Sequence, residues 1–169
     1  FTLAVMSPDE STAGKLAVGS YQIGLSGAVT VNSQNFSDTI TVAGSQQVNA
    51  KSLTASASNV SKTYDGTTTM NDVTLSLAGL ESNGSGASDV VTVSGLGDFS
   101  DKNVGTNLEY AVINLTLGGP DAGNYYLSGG TTLSGNNGVI TPRTLDVTFA
   151  GINKTYDGDT FASVTSTDN

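Results

Sequence analysis

A five-residue segment, Lys-Thr-Tyr-Asp-Gly, occurs twice in this chain, at residues 62–66 and 154–158, 92 positions apart. Its approach repeats in the same register, with Leu53 nine residues before Lys62 and Leu145 nine residues before Lys154. A repeat of this kind constrains the fold strongly, because each copy must be a similar supersecondary unit that buries its apolar face against neighbours. Leu145, Val147 and Phe149 alternate with Asp146, Thr148 and Ala150, the period of two expected of a half-buried strand. Asp-Gly then predicts a turn, since Gly accepts positive φ and Asp bonds its own backbone. The rings of Tyr64 and Tyr156 are expected against a sheet, each hydroxyl near the turn. On this reading Lys62, Tyr64, Asp65 and Gly66, with their copies Lys154, Tyr156, Asp157 and Gly158, form a structural motif. A ligand-contacting Tyr-Asp pair is the weaker reading, because the motif recurs with its strand and no other chemistry accompanies it.

A second echo lies further along each unit. Gly19-Ser20-Tyr21 precedes Ile23 and Leu25, and Gly123-Asn124-Tyr125 precedes Leu127. Each runs through a Gly/Asn/Ser segment to a strand, Ile40-Thr41-Val42 or Val139-Ile140, and on to Leu53 or Leu145. This parses the chain as the C-terminal part of one unit (1–51), a complete unit (52–143) and the N-terminal part of a third (144–169). Strands are predicted near 53–58, 72–78, 89–95, 108–117, 124–128 and 138–149, with a flexible turn at 81–89. Between 108 and 117 the apolar face switches: Leu108, Tyr110 and Val112 share one side, and Ile113, Leu115 and Leu117 the other. A bulge, or a strand buried on both faces, would account for it. Ser7-Pro8-Asp9-Glu10 is the best helix start, good for a turn or two before Gly14. The fold class is therefore all-β: tandem β-sandwich or β-grasp-like units stacked end to end, with very little helix.

Composition removes most chemistries. The chain has no Cys and no His, so it lacks a disulfide framework, a thiolate nucleophile and the commonest acid–base and metal-binding side chain. No Gly-x-Ser-x-Gly elbow or phosphate-binding loop occurs, and the chain reads as a non-enzyme. Six basic residues against fifteen acidic ones, a net charge of −9, argue against nucleic acid as a partner. No apolar run is long enough to insert in a membrane as a helix. The chain opens on Phe1 without a signal peptide and reads as a processed piece of a longer product. No cofactor is expected; Asp98, Asp101, Asp157 and Asp159 are weak calcium candidates, better read as solvated turn residues. Tyr21, Tyr125 and Tyr126 could serve as stacking platforms in an alternative, carbohydrate-binding module.

The two KTYDG segments, the Leu-led strand before each, the later Gly-x-Tyr and the long period resemble the YDG-type repeats of large bacterial surface adhesins. Those repeats sit beside related mostly beta-grasp modules. The resemblance implies a structural or adhesive segment of a secreted, extracellular or cell-surface protein, with no catalytic residues to carry over. Its partners would be neighbouring repeats or other copies, and a host or matrix glycan or protein. Half-units at 1–51 and 144–169 are expected to need partners for their open edges. The head of one molecule completing the tail of the next by strand addition would build a filament.

Overall fold

Thr, Val and aromatic residues in alternation with Gly-rich turns make strands, and strands account for nearly all the regular secondary structure among the described residues. The structure, a computed structural model, describes residues 2–27, 31, 34–35 and 40–168. In chain order the strands are β1 (Thr2–Val5), β2 (Gly19–Ser26), β3 (Ser45–Val48), β4 (Lys51–Ser58), β5 (Ser61–Thr63), β6 (Thr69–Met70) and β7 (Thr74–Ala78). They continue with β8 (Thr92–Phe99), β9 (Gly105–Gly118), β10 (Tyr125–Leu127), β11 (Leu133–Thr141), β12 (Val147–Gly151) and β13 (Val164–Asp168). Among the described residues one 3-10 turn, Ala122–Asn124, is the only helical element. The protein is all-β.

Among the described residues the strands form four sheets, ordered β1-β2-β3, β10-β4-β7, β5-β11-β9-β8-β6 and β12-β13. The second and third make a two-layer sandwich spanning residues 51–141. Val60, Met70, Phe99, Tyr110, Val112, Leu115 and Ile140 form its core, with Ala55 and Ala57 of β4 and Leu75 of β7 packed against them. Two pairings are parallel, β10 with β4 and β11 with β5; the other pairings are antiparallel.

The face switch in β9 is a bulge. Ser94 opposes Thr116, but Leu96 opposes Ile113, so β9 carries one extra residue there. Asn114 takes it up with φ 55°, a left-handed conformation that Asn tolerates better than most residues. Of the two accounts of the face switch, the bulge is the one the strand adopts. It returns Leu115 to the core beside Val112 and leaves Ile113 in solvent.

Gly135-Asn136-Asn137-Gly138, which reads as a loop, lies inside β11. The glycines accommodate rings, not a turn. A Cβ at Gly135 would lie 2.5 Å from the Tyr110 hydroxyl, and one at Gly138 would lie 2.5 Å from Phe99 Cε1. Three further expectations are corrected. The run 138–149 is two strands: β11 ends at Thr141 and β12 begins at Val147, with Pro142, which has no N–H to donate, between them. The strand expected at 40–42 lies instead at β3, Ser45–Val48. No helix starts at Ser7, whose φ of 50° is incompatible with the extended backbone of an N-cap. That segment closes as a turn, the Ser11 amide donating to Lys15 O at 2.8 Å.

The β12–β13 hairpin repeats β4–β7. Ser56 opposes Ser76 with hydroxyls 2.8 Å apart, and Thr148 opposes Thr167 with hydroxyls 2.7 Å apart. Thr148 lies 92 positions after Ser56 but Thr167 only 91 after Ser76, so the second copy is one residue shorter after its turn.

Candidate functional site

The KTYDG segment begins in β5, which lies parallel along the last strand of the sandwich. The Val139 amide donates to Val60 O at 3.0 Å and the Tyr64 amide to Thr141 O at 2.8 Å. The turn that follows is closed by side chains. Asp65 Oδ1 accepts from the Thr67 amide at 2.9 Å and from its hydroxyl at 2.8 Å. Lys62 Nζ lies 2.6 Å from Asp65 Oδ1 and donates to Thr67 O at 3.2 Å and Thr69 O at 2.9 Å. Gly66 supplies the positive φ, 81°. The second copy keeps the lysine–aspartate pair, the amide bond to the aspartate and the bond to the i+5 carbonyl. Asp157 Oδ1 accepts from the Asp159 amide at 3.0 Å, Lys154 Nζ sits 2.9 Å from Asp157 Oδ1 and donates to Asp159 O at 3.0 Å, and Gly158 has φ 75°.

In each copy the lysine is thus spent on its own turn, as a clasp across Asp(i+3) and the carbonyl at i+5. The Lys62 ammonium, and after it the Thr67 amide and hydroxyl, hold the Asp65 carboxyl down at about 2. Lys154, and after it the Asp159 amide, lowers Asp157 in the same direction. Both tyrosine rings are exposed, Tyr156 almost wholly, which corrects the expectation that they lie against a sheet. A carboxyl titration followed by NMR should place Asp65 near 2 in the native chain. In Lys62→Met it should return toward the ordinary 3.8, since the first cause of the depression is gone.

A second constellation sits where the first sheet meets the sandwich, and sequence reasoning missed it. Asp89 and Asp121 are buried, at 5% and 4% exposure. Asp89 Oδ1 accepts from the Ala13 amide at 3.0 Å while its Oδ2 accepts from the Tyr125 hydroxyl at 2.6 Å. Asp121 Oδ1 accepts from the Thr12 amide at 2.9 Å and its Oδ2 from the Val90 amide at 2.7 Å. Asn124 Oδ1 accepts from the Val18 amide at 2.8 Å. Burial pushes the Asp89 carboxyl up, but bonds from Ser11, Tyr125 and the Ala13 amide outweigh it and leave it below the usual value. A Thr12 side-chain bond lowers Asp121, burial opposes, and the Val90 and Thr12 amides add to the lowering. Burial, then the bond to Asp89, raises Tyr125 to about 12. The one sequence signal for this cluster is the recurrence of Pro-Asp at 8–9 and 120–121.

The family model of the YDG domain matches residues 49–133, half of the chain. The chain belongs to the YDG domain family. No curated protein and no solved structure matches it. The YDG match holds the first clasp, Lys62 to Gly66, and four residues of the second constellation, Asp89, Asp121, Asn124 and Tyr125. Of the tyrosines suggested as stacking platforms, Tyr21 and Tyr125 are buried. The Tyr21 hydroxyl donates to Ala17 O at 2.9 Å, and Tyr125 to Asp89, so neither ring offers a face; Tyr126 alone is exposed. The calcium candidates are occupied locally: Asp98 by the Thr68 hydroxyl, Asp101 by the Asn103 amide, Asp157 by its lysine, and Asp159 by the Phe161 amide. Among the described residues no three acidic side chains are grouped to hold a metal ion.

Proposed function

We propose that this YDG segment is a structural spacer, a run of tandem β-units in a secreted adhesin displayed on a bacterial surface. The observation that carries the reading is the second clasp-and-hairpin, which repeats the lysine–aspartate pair, the bond to the i+5 carbonyl and the cross-strand hydroxyl pair of the first. A spacer asks only that each unit fold and join its neighbour.

The units are completed head to tail, on this proposal. The hairpin β12–β13 is exposed along its length, and its apolar residues are those that the sandwich buries. Leu145 is 63% exposed where Leu53 is 1%, Ile152 is 53% where Val60 is 5%, and Phe161 is 80% where Met70 is 7%. An isolated two-stranded hairpin is marginal in water, and an apolar face of this kind asks for a covering sheet. The first sheet of another copy is the proposed cover, giving a heterologous contact that propagates. Negative-stain electron microscopy of the native chain should show end-to-end rods, and Phe161→Asp should leave single particles. A monodisperse monomer at micromolar concentration, unchanged by Phe161→Asp, sinks the head-to-tail proposal.

A further inference from the structure

The connection between β1 and β2 is longer than its counterpart between β9 and β10. Pro8-Asp9 and Val18-Gly19-Ser20-Tyr21 align with Pro120-Asp121 and Ala122-Gly123-Asn124-Tyr125, and residues 10–17 are extra. Two of those eight residues, Thr12 and Ala13, reach the sandwich. Ala13 is 2% exposed, and Thr12 and Ala13, with the adjoining Val18, offer their amides to Asp121, Asp89 and Asn124. The loop is held in shape from its own side by Gly14, which has φ 68° and donates from its amide to Ser11 O at 2.8 Å.

We propose that residues 10–17 are a coupling peg and that Asp89, Asp121 and Asn124 form its socket. The socket is an interaction surface for a preceding β-unit that carries this insertion. What it recognises is chemical and shape-based: two amides at adjacent positions and a third five residues on, around a small side chain that fits beneath them. A unit with the short connection has no such loop to insert. The sandwich itself has the short form, Asp121-Ala122-Gly123-Asn124, so it presents no peg toward the hairpin β12–β13. The chain therefore has one locked joint and one unlocked joint. The spacer reading supplies the purpose of the joint, but the joint stands or falls separately.

Both socket carboxylates act as ions, accepting and not donating toward the amides. The charged groups around them are Lys15 on the peg side, Lys51 on β4, Glu81 on the loop before β8, and each other, with the neutral Tyr125 on β10. Lys51 pairs with Glu81 beside them at 2.5 Å. Both carboxyls lie below their ordinary value of 3.8, so the joint is fully formed above that pH and weakens as pH falls through the lowered values.

Hydrogen exchange on the full chain tests this. In the double variant Asp89→Asn, Asp121→Asn at pH 7, protection of the Thr12, Ala13 and Val18 amides should fall at least tenfold. Amides of β9 should keep theirs. Deleting residues 10–17 should widen the scattering profile of the chain while leaving the sandwich's melting midpoint unchanged. In the native chain, acidification from pH 7 to pH 3 should expose the Thr12 and Ala13 amides before those of β9. Unchanged protection in the double variant overturns the proposal. So does loss of peg and β9 protection together on acidification, a readout that stands even if the double variant does not fold. Rod formation in the microscope bears on the spacer reading and leaves this result untouched.

Discussion

Leu53→Ala is expected to cost the sandwich about 2–5 kcal/mol, the usual range for emptying a buried leucine site. The same change at Leu145, the equivalent position in the next repeat, should shift the stability of the dissociated monomer by less than about 0.5 kcal/mol, as exposed substitutions do. The contrast follows from burial, since Leu53 is among the most deeply buried side chains and Leu145 stands in solvent. Leu53 lies in β4 between β10 and β7, and its carbonyl accepts from the Ser128 amide at 3.0 Å, so the strand cannot slide to close the cavity. Urea unfolding reads the difference as a lower midpoint with an unchanged slope. Equal losses for both variants would mean that the second hairpin is covered in solution by a partner sheet.

Gly138→Ala should be nearly as damaging although it adds a single methyl group. That carbon would stand 2.5 Å from Phe99 Cε1 and 2.8 Å from the backbone oxygen of Leu108. Phe99 is a core ring on β8 and Leu108 O belongs to the neighbouring β9, so relief requires the core to repack and β9 to move away from β11. Overpacking of this kind costs about 1–3 kcal/mol, and the backbone contact puts it at the upper end. For a unit of this size about 3 kcal/mol lowers the melting midpoint by roughly 12–24 °C. Gly123→Ala is the matched control, since a Cβ there meets nothing within 4 Å. Calorimetry of the two variants should separate them clearly; a Gly138→Ala midpoint within a degree or two of the native chain would contradict the ring-over-glycine packing.

Local pattern carried much of this fold. The alternation in Leu145 to Ala150 and the Asp-Gly turns were readable because period two and positive φ each have a short-range signature. The break at Pro142 was half readable, as the residue that cannot donate a ladder bond. What local pattern could not reveal was anything decided across strands. Gly135 and Gly138 have the composition of a turn, and only the rings of Tyr110 on the neighbouring strand β9 and of Phe99 on β8 beyond it explain them. The face switch at Ile113 and Leu115 was readable as a bulge or a two-faced strand, and the register against β8, with one left-handed asparagine, decides for the bulge. The joint was the least legible part. Asp89 and Asp121 look like any loop aspartates in the sequence, and their partners are amides of residues 12 and 13, far away along the chain. The clasp lysines stood out by recurrence, but their bond to the i+5 carbonyl is a matter of turn shape.

The parallel pairing of β5 with β11 has a mechanical meaning. β5 is tied through Asn59 and Val60 to β4, where the chain enters the sandwich, and β11 leads out through Pro142. When the two ends are drawn apart, these strands are dragged lengthwise past each other. The bonds from the Val139 amide to Val60 O and from the Tyr64 amide to Thr141 O are then strained together and cannot be unzipped one by one. Resistance to tension is set by the rate of unfolding more than by equilibrium stability. The strand that opens the KTYDG turn is, on this geometry, the tether against which a stretched unit holds.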